Sequence, residues 1–199
     1  MLTVLVLYYS RNGSTAELAR HVCRGVESVV GVTATLRTVP PVAAVIEAPA
    51  AAVPASGPPY ASHAELATCH GLILGSPTRF GNMAAPLKYF LDGTSSAWVS
   101  GQLVGKPAGV FTSTSTLHGG HESTLLSMML PLLHHGMVMV GLPFTEPALA
   151  RTRRGGSVYG AGTIGGSEGG LSDDEKVLAQ LLGRRVADVA LRLAVPAPR

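Results

Sequence analysis

L-T-V-L-V-L-Y-Y-S-R-N-G-S-T, residues Leu2 to Thr15, is the stretch on which the reading of the fold turns. Leu2, Val4, Leu5, Val6 and Leu7 leave almost no polar face, the pattern of a parallel strand covered by helices on both sides. The strand runs into a turn rich in hydroxyls. Behind it Ser14 and Glu17 have the S-x-x-E spacing of a capping box, which predicts a helix start. Leu18, Val22, Val26 and Val29 then recur at helical spacing, with Arg20, Arg24 and Ser28 facing away.

A strand that ends at a helix start brings free backbone N–H groups, the positive end of a helix dipole and the hydroxyls of Ser10, Ser14 and Thr15 to one point. Such a point suits a phosphate dianion even without a lysine. The same residues also read as an ordinary cap, with Ser14 capping and Gly13 turning the chain. No G-K-[ST] follows, so the turn is not a P-loop. Nor is the spacing G-x-G-x-x-G, which argues against a dinucleotide held in the Rossmann manner.

Working outward, Val32, Ala34 and Leu36 alternate with Thr33, Thr35 and Arg37, a half-buried strand near a sheet edge. Pro40 and Pro41 end it, and from about 40 to 62 the composition shifts to Ala and Pro. That excursion predicts irregular cover of an outer face, either a subunit contact or partly mobile. Ser62 and Glu65 make a second capping box, and Gly71 to Gly75 is a second apolar strand. It delivers Ser76-Pro77-Thr78-Arg79-Phe80-Gly81-Asn82, and open α/β sheets bind ligands at such strand ends. Gly81 permits close approach, Phe80 offers a ring and Arg79 is the fixed charge, although a plain proline-glycine turn would look the same.

Met83 to Leu91 reads as a helix with Pro86 in its first turns, and Trp98 beyond it as a packing anchor. Ala108 to Phe111 is a third apolar strand delivering Thr112 to Gly120, a loop of small hydroxyl and glycine residues. The next helix, about Glu122 to His134, carries Leu125, Leu126, Met129, Leu130 and Leu133 as core, with a kink expected at Pro131. His134 and His135 close it where the dipole favours a protonated imidazole. Met137 to Val140 reads as the last core strand. A glycine-rich insertion, about 144 to 170, is expected to loop back over the site. Ser172 and Glu175 form a third capping box, and Val177, Leu178, Leu181, Leu182, Val186, Val189 and Leu193 stripe the closing helix. Strand and helix alternation predicts one α/β domain over 1–199, with five parallel strands and helices on both faces.

Composition narrows the function. A net charge of +3 without a dense basic face, and no helix-turn-helix, argue against nucleic-acid binding. Cys23 and Cys69 lack metal-ligand spacing and read as reduced thiols, so no metal is expected. The first strand has no charged n-region or small-residue cleavage site, which predicts a cytoplasmic chain. Leu125 to Leu142 is too interrupted by Pro131, His134, His135 and Gly136 to span a membrane.

Y-Y-S-R-N-G-S-T, G-S-P-T-R-F-G-N-M and H-H-G-M-V together resemble the tryptophan-repressor-binding-protein (WrbA) family of NAD(P)H:quinone oxidoreductases, along nearly the whole chain. The resemblance implies a flavodoxin-like three-layer sandwich with strand order 2-1-3-4-5, non-covalent FMN and a homotetramer. It also implies NADH or NADPH as co-substrate, with hydride passing to the flavin and on to a quinone at one shared site. Ser10, Arg11, Asn12, Gly13, Ser14 and Thr15 would hold the phosphate. Pro77, Thr78, Arg79, Phe80, Gly81 and Asn82 would meet the isoalloxazine. Ser113, Thr114, Ser115, Thr116, Leu117, His118 and Gly119 would line the ribityl chain and ring edge. His134 would stand near the flavin and, with Arg79, stabilise its reduced anion, while Trp98 and Asn12 would face the substrate.

Two departures from the family pattern bear on this. Asn12 stands where the family often has an aromatic residue, and T-S-T-S-T-L-H-G-G runs one residue longer than the usual loop. The rival readings are a one-electron flavodoxin, which is normally strongly acidic whereas this chain has 12 acidic against 15 basic residues, and a non-enzymatic partner of a repressor.

Overall fold

The computed structural model describes residues 1–42, 54–166 and 170–194. Its elements in order are β1 (Leu2–Tyr8), α1 (Ser14–Glu27), β2 (Val32–Thr38), α2 (His63–Thr68), β3 (Gly71–Arg79), β4 (Asn82–Met83), α3 (Ala85–Asp92), α4 (Ser95–Val99), β5 (Pro107–Thr114), α5 (His121–His134), β6 (Val138–Met139), α6 (Pro147–Arg151), β7 (Ala161–Ile164) and α7 (Asp173–Ala194). Much of the Ala/Pro-rich excursion, residues 43–53, lies outside the described residues.

β1 sits in the middle of the sheet, paired in parallel with β2 on one side and β3 on the other. Because a strand's side chains alternate, Val4, Val6 and Tyr8 pack on one face with α1 and α7, whose Leu18, Val22, Leu178 and Leu182 are fully buried. Leu5 and Leu7 point the other way, toward Leu66 of α2, Leu87 and Leu91 of α3 and Leu125, Met128 and Leu132 of α5. Each such side chain contributes about 1.5–3 kcal/mol when removed from water. The central strand is therefore apolar throughout because both of its faces are covered.

The path β2-β1-β3-β5-β6 has the expected core order, but the sheet has seven strands rather than five. The last position is divided. β6 pairs only with Pro107 and Ala108 of β5, and β7 takes up the same edge further along, from Phe111 to Thr114. A strand expected over Met137 to Val140 is thus two residues long, and the glycine-rich insertion supplies the remainder. Glycine is a poor strand former by propensity, so this pairing was invisible in the local sequence.

Four local expectations change. The first helix has Gly13, in the left-handed region at φ 92°, at its cap, and no side chain caps it. The helix start stands, but Glu17 accepts instead from the Leu171 N–H at 3.3 Å. Asn82 and Met83 form β4 against Arg79 and Thr78, so the helix expected from Met83 starts at Ala85. β5 runs on to Thr114, all eight residues buried, so Thr112, Ser113 and Thr114 are strand rather than loop. Finally, two helices differ from their expected stripes: α5 buries Leu125, Met128 and Leu132, whereas Leu126, Leu130 and Leu133 are 44%, 61% and 54% exposed, and α7 leaves Val177 and Leu193 exposed. The capping boxes at Ser62–Glu65 and Ser172–Glu175 both form, each with reciprocal bonds.

Candidate functional site

The carboxyl ends of β1, β3 and β5 open on one notch of about 210 Å³. Ser10, Arg11, Asn12, Ser14 and Thr15 line it from the first turn, Pro77, Thr78 and Arg79 from the second, and Ser113, Thr114 and Ser115 from the third. Gly165 and Gly166, just after β7, complete the wall. The lining holds two arginines and no carboxylate among the described residues. Its preference is for an anion.

The first turn is shaped by Gly13. Its left-handed φ lets the chain turn sharply into α1, and its N–H donates to the Ser10 hydroxyl at 3.2 Å. No side chain caps the helix, so the positive end of its dipole is left without a side-chain acceptor where Ser14 and Thr15 line the notch. Ser14, freed from capping, sits against the second wall, where a Cβ added to Gly165 would lie 2.7 Å from its Oγ. Thr15 is buried and its hydroxyl is 2.8 Å from that of Ser113, which ties the first turn to β5.

The other two turns are tied to one another. Thr124 of α5 donates to the Thr78 hydroxyl at 2.8 Å, and the Thr78 hydroxyl also accepts from the Gly81 N–H at 3.3 Å. Gly120, ahead of α5, approaches Gly81 so closely that an added Cβ would lie 3.2 Å from the Gly81 Cα. Arg79 donates from its guanidinium to the Thr78 carbonyl at 2.7 Å and lines the notch beside it. Phe80 is the one non-glycine residue with positive φ among the described residues, at 53°, and its ring is wholly exposed. That backbone costs about 1–3 kcal/mol, which no burial of the ring among the described residues offsets.

The expected site residues fall into three groups. Ser10 to Thr15, Pro77 to Arg79 and Ser113 to Ser115 converge, with Gly13 at the apex of the first turn. Phe80, Gly81 and Asn82 border the notch without lining it, and Thr116, Leu117 and His118 are exposed on the loop beyond, with Gly119 half-buried. Trp98 and His134 lie elsewhere, and Trp98, expected as a packing anchor, is exposed. His134 is the last residue of the 14-residue helix whose first turn stands at the notch, so the length of α5, about 21 Å, separates it from the site within one chain. There the Trp98 indole N–H donates to the His134 carbonyl at 2.8 Å, beside a 420 Å³ cleft that both residues line.

In that corner His135 is buried, its Nε2 2.9 Å from the Thr94 hydroxyl, and burial first and His134 second hold its pKa below the ordinary value, so the protonated imidazole expected at this helix end is not favoured at His135. The thiols of Cys23 and Cys69 are pushed up to about 12 and about 11 by burial, which leaves them inert as nucleophiles. Among the described residues no cluster of His, Cys, Asp or Glu could hold a metal ion, and no helix is long and apolar enough to cross a membrane.

The residue-level reading missed Gly165, Gly166 and His121. His121 is buried at the start of α5 and lies 3.2 Å from the Thr163 carbonyl and 3.1 Å from the Thr114 hydroxyl, joining β5 to β7 behind the notch. The signal for the two glycines was the expectation that the insertion returns over the site; nothing in the sequence marked His121.

Residues 2–145 match the family model described as NADPH-dependent FMN reductase. Two proteins named NAD(P)H dehydrogenase (quinone), from Solidesulfovibrio magneticus and Geobacter sulfurreducens, are each 45% identical over 96% of this chain and 99% of their own length. A WrbA-like flavodoxin structure from Agrobacterium tumefaciens aligns with a TM-score of 0.69 at 26% identity, covering 96% of this chain and 99% of that one.

Proposed function

The chain belongs to the NADPH-dependent FMN reductase family, and on that premise we propose that it is an FMN-dependent oxidoreductase that reduces quinones with NAD(P)H. Its fold is flavodoxin-like. The carrying observation is the notch itself: hydroxyls, uncapped helix N–H groups and two arginines, without a carboxylate among the described residues, at the ends of the central strands.

The residues present fit FMN. A phosphate dianion needs short donors converging from several sides, and Ser10, Ser14, Thr15 and the first N–H groups of α1 are that set, with Arg11 adding charge. Opposite them Gly165 packs so close that an added Cβ would lie 2.7 Å from the Ser14 hydroxyl, and Gly166, at φ 76°, has nothing within 4 Å of where its Cβ would be. In this reading Ser10, Arg11, Asn12, Gly13, Ser14 and Thr15 hold the phosphate. Ser113, Thr114 and Ser115 line the polyol, with Thr116 to Gly119 beyond, and Pro77 to Asn82 border the ring. The chemistry such a cofactor supplies when bound is two-electron exchange between a nicotinamide and a quinone. The protein's part is to orient the ring and, through the fixed charge of Arg79, to favour negative charge on its polar edge.

His134 and Trp98 take part in this reading only from a second copy of the chain. What supports that is the exposure of Leu126, Leu130 and Leu133, which their spacing puts on one face of α5, and of Trp98, bonded to His134 at the end of that helix, together with the exposed ring of Phe80 beside the notch. Exposed apolar residues gathered in this way mark interaction sites. The assembly we propose is a homotetramer in the cytoplasm, within which the Trp98–His134 corner of one chain faces the notch of another and forms the nicotinamide and quinone pocket.

The test is a titration of the purified chain with FMN and with riboflavin, followed by NADH oxidation driven by benzoquinone with no partner protein. Tight FMN binding, weak riboflavin binding and steady turnover are expected. Absence of FMN affinity, or turnover only with an added electron-carrier protein, would falsify the proposal.

A further inference from the structure

Arg154, in the glycine-rich insertion, does not line the notch but is held beside it by a set of fixed contacts. Its Nη2 donates to two carbonyls, those of Ile164 and Gly170, at 3.1 Å each. Those carbonyls flank the connection between β7 and α7, and Gly165 and Gly166, on the notch wall, lie between them in sequence. One guanidinium therefore closes the neck of that connection. Its Nε faces Oε1 of Glu175 at 3.7 Å, and neither atom has a hydrogen-bond partner among the described residues. Glu175 is fully buried, with its other oxygen accepting the Ser172 N–H at 2.6 Å.

A carboxylate buried to that degree is held for a reason, since removing it from water is costly unless a fixed positive partner is supplied. Here the partner is a residue 21 positions earlier in the chain, on the far side of β7. Two further ties run from the same connection to neighbouring elements. Leu171 donates its N–H to Glu17 of α1, and Gly165 donates its N–H to the Thr114 carbonyl at 2.7 Å. The Gly165 side of the connection thereby meets Ser14 of the phosphate turn, and the Leu171 side meets α1 one helical turn further on.

Resting on the reading that the notch takes the phosphate of FMN, we propose that Arg154 is a positioning residue: anchored by Glu175, it holds Gly165 and Gly166 against the Ser10–Thr15 turn and so sets the affinity for a phosphate ester. It acts through the loop. The alternative is that Arg154 acts on the phosphate only through its charge, because it also lines a 290 Å³ chamber beside Asn12, Gly13 and Ser14. The two predict opposite signs when Glu175 is neutralised. Losing a buried anion raises the positive potential and would tighten binding of a dianion, whereas losing the anchor frees Arg154 and loosens the wall.

The experiment compares FMN and riboflavin binding, by quenching of flavin fluorescence, in the wild-type chain and in Glu175→Gln, which keeps an oxygen for the Ser172 N–H. Hydrogen exchange over residues 160–166 is read in parallel. Positioning predicts that Glu175→Gln lowers FMN affinity about tenfold, the scale of one misplaced charge-assisted hydrogen bond. Riboflavin affinity should hold, and exchange should rise at Gly165. The double variant Arg154→Met/Glu175→Gln leaves no buried charge unpaired and should lose FMN affinity at least as far. Unchanged or tighter FMN binding in Glu175→Gln, or recovery in the double variant, overturns the proposal. Failure of the wild type to distinguish FMN from riboflavin sinks the phosphate reading and this inference with it. Discrimination that is present in the wild type and intact in Glu175→Gln sinks this inference alone.

Discussion

The two ends of α5 carry histidines in opposite surroundings. At its start His121 is buried behind the notch, bonded between β5 and β7, in a neighbourhood of small polar residues drawn together from distant parts of the chain. At its end His134 is exposed beside Trp98, on an apolar surface that none of the described residues covers. The first end is tied together within one chain, whereas the second stands open to solvent among the described residues. A site whose donors are fixed by internal bonds can bind its ligand alone, whereas an exposed apolar corner gains its full burial only against another surface.

The sharpest way to break this contrast is at the complete end. Gly165→Val puts a branched side chain where even a Cβ would lie 2.7 Å from the Ser14 hydroxyl. FMN affinity should fall about 100-fold, since both the donor position and the space are lost, with the oligomer unchanged. Fluorescence titration and light scattering read the two effects separately, and an unaltered affinity would show that this wall is not part of the site.

At the other end Leu130→Glu places a charge on the exposed apolar face of α5. The proposed tetramer, if this face is its contact, should dissociate, and quinone turnover should fall about tenfold or more while FMN affinity stays within about threefold, because hot-spot contacts dominate such interfaces. An intact tetramer with full turnover would mean that this face is not the contact.

The smallest effect concerns His135. Its pKa is lowered in the folded chain, chiefly by burial and then by His134, so between the ordinary value of 6.5 and the folded value the unfolded chain binds the extra proton. The stability contributed by the neutral imidazole is therefore fully present above pH 6.5 and is lost as pH falls through that window. Thermal unfolding across about pH 5 to 7.5, the range in which histidine titrates, should show a shallower pH dependence in His135→Gln than in the wild type. Equal slopes would remove His135 from the account.

Much of the frame was legible because it depends on local pattern. The unbroken apolar run in β1, the turn after it and the glycine- and proline-rich punctuation place three strand ends side by side. The same local logic failed where partners lie far apart in sequence. Ser14 and Glu17 have capping-box spacing, but Gly13 takes the cap and Glu17 is drawn to Leu171. Leu126, Leu130 and Leu133 have the spacing and composition of core, and only the placement of α5 leaves them exposed. Periodicity tells that a face is apolar; it does not tell what covers it.

The order of hydrophobic strands and helices, and the hydroxyls that follow the strands, were determined by the sequence itself, because side-chain alternation and turn chemistry act over a few residues. The split of the last strand between β6 and β7, the meeting of Gly165 with Ser14, and the 21-residue reach from Arg154 to Glu175 were decided by the tertiary structure alone. Each of these joins segments whose proximity arises only when the sheet has assembled, and no local preference encodes it.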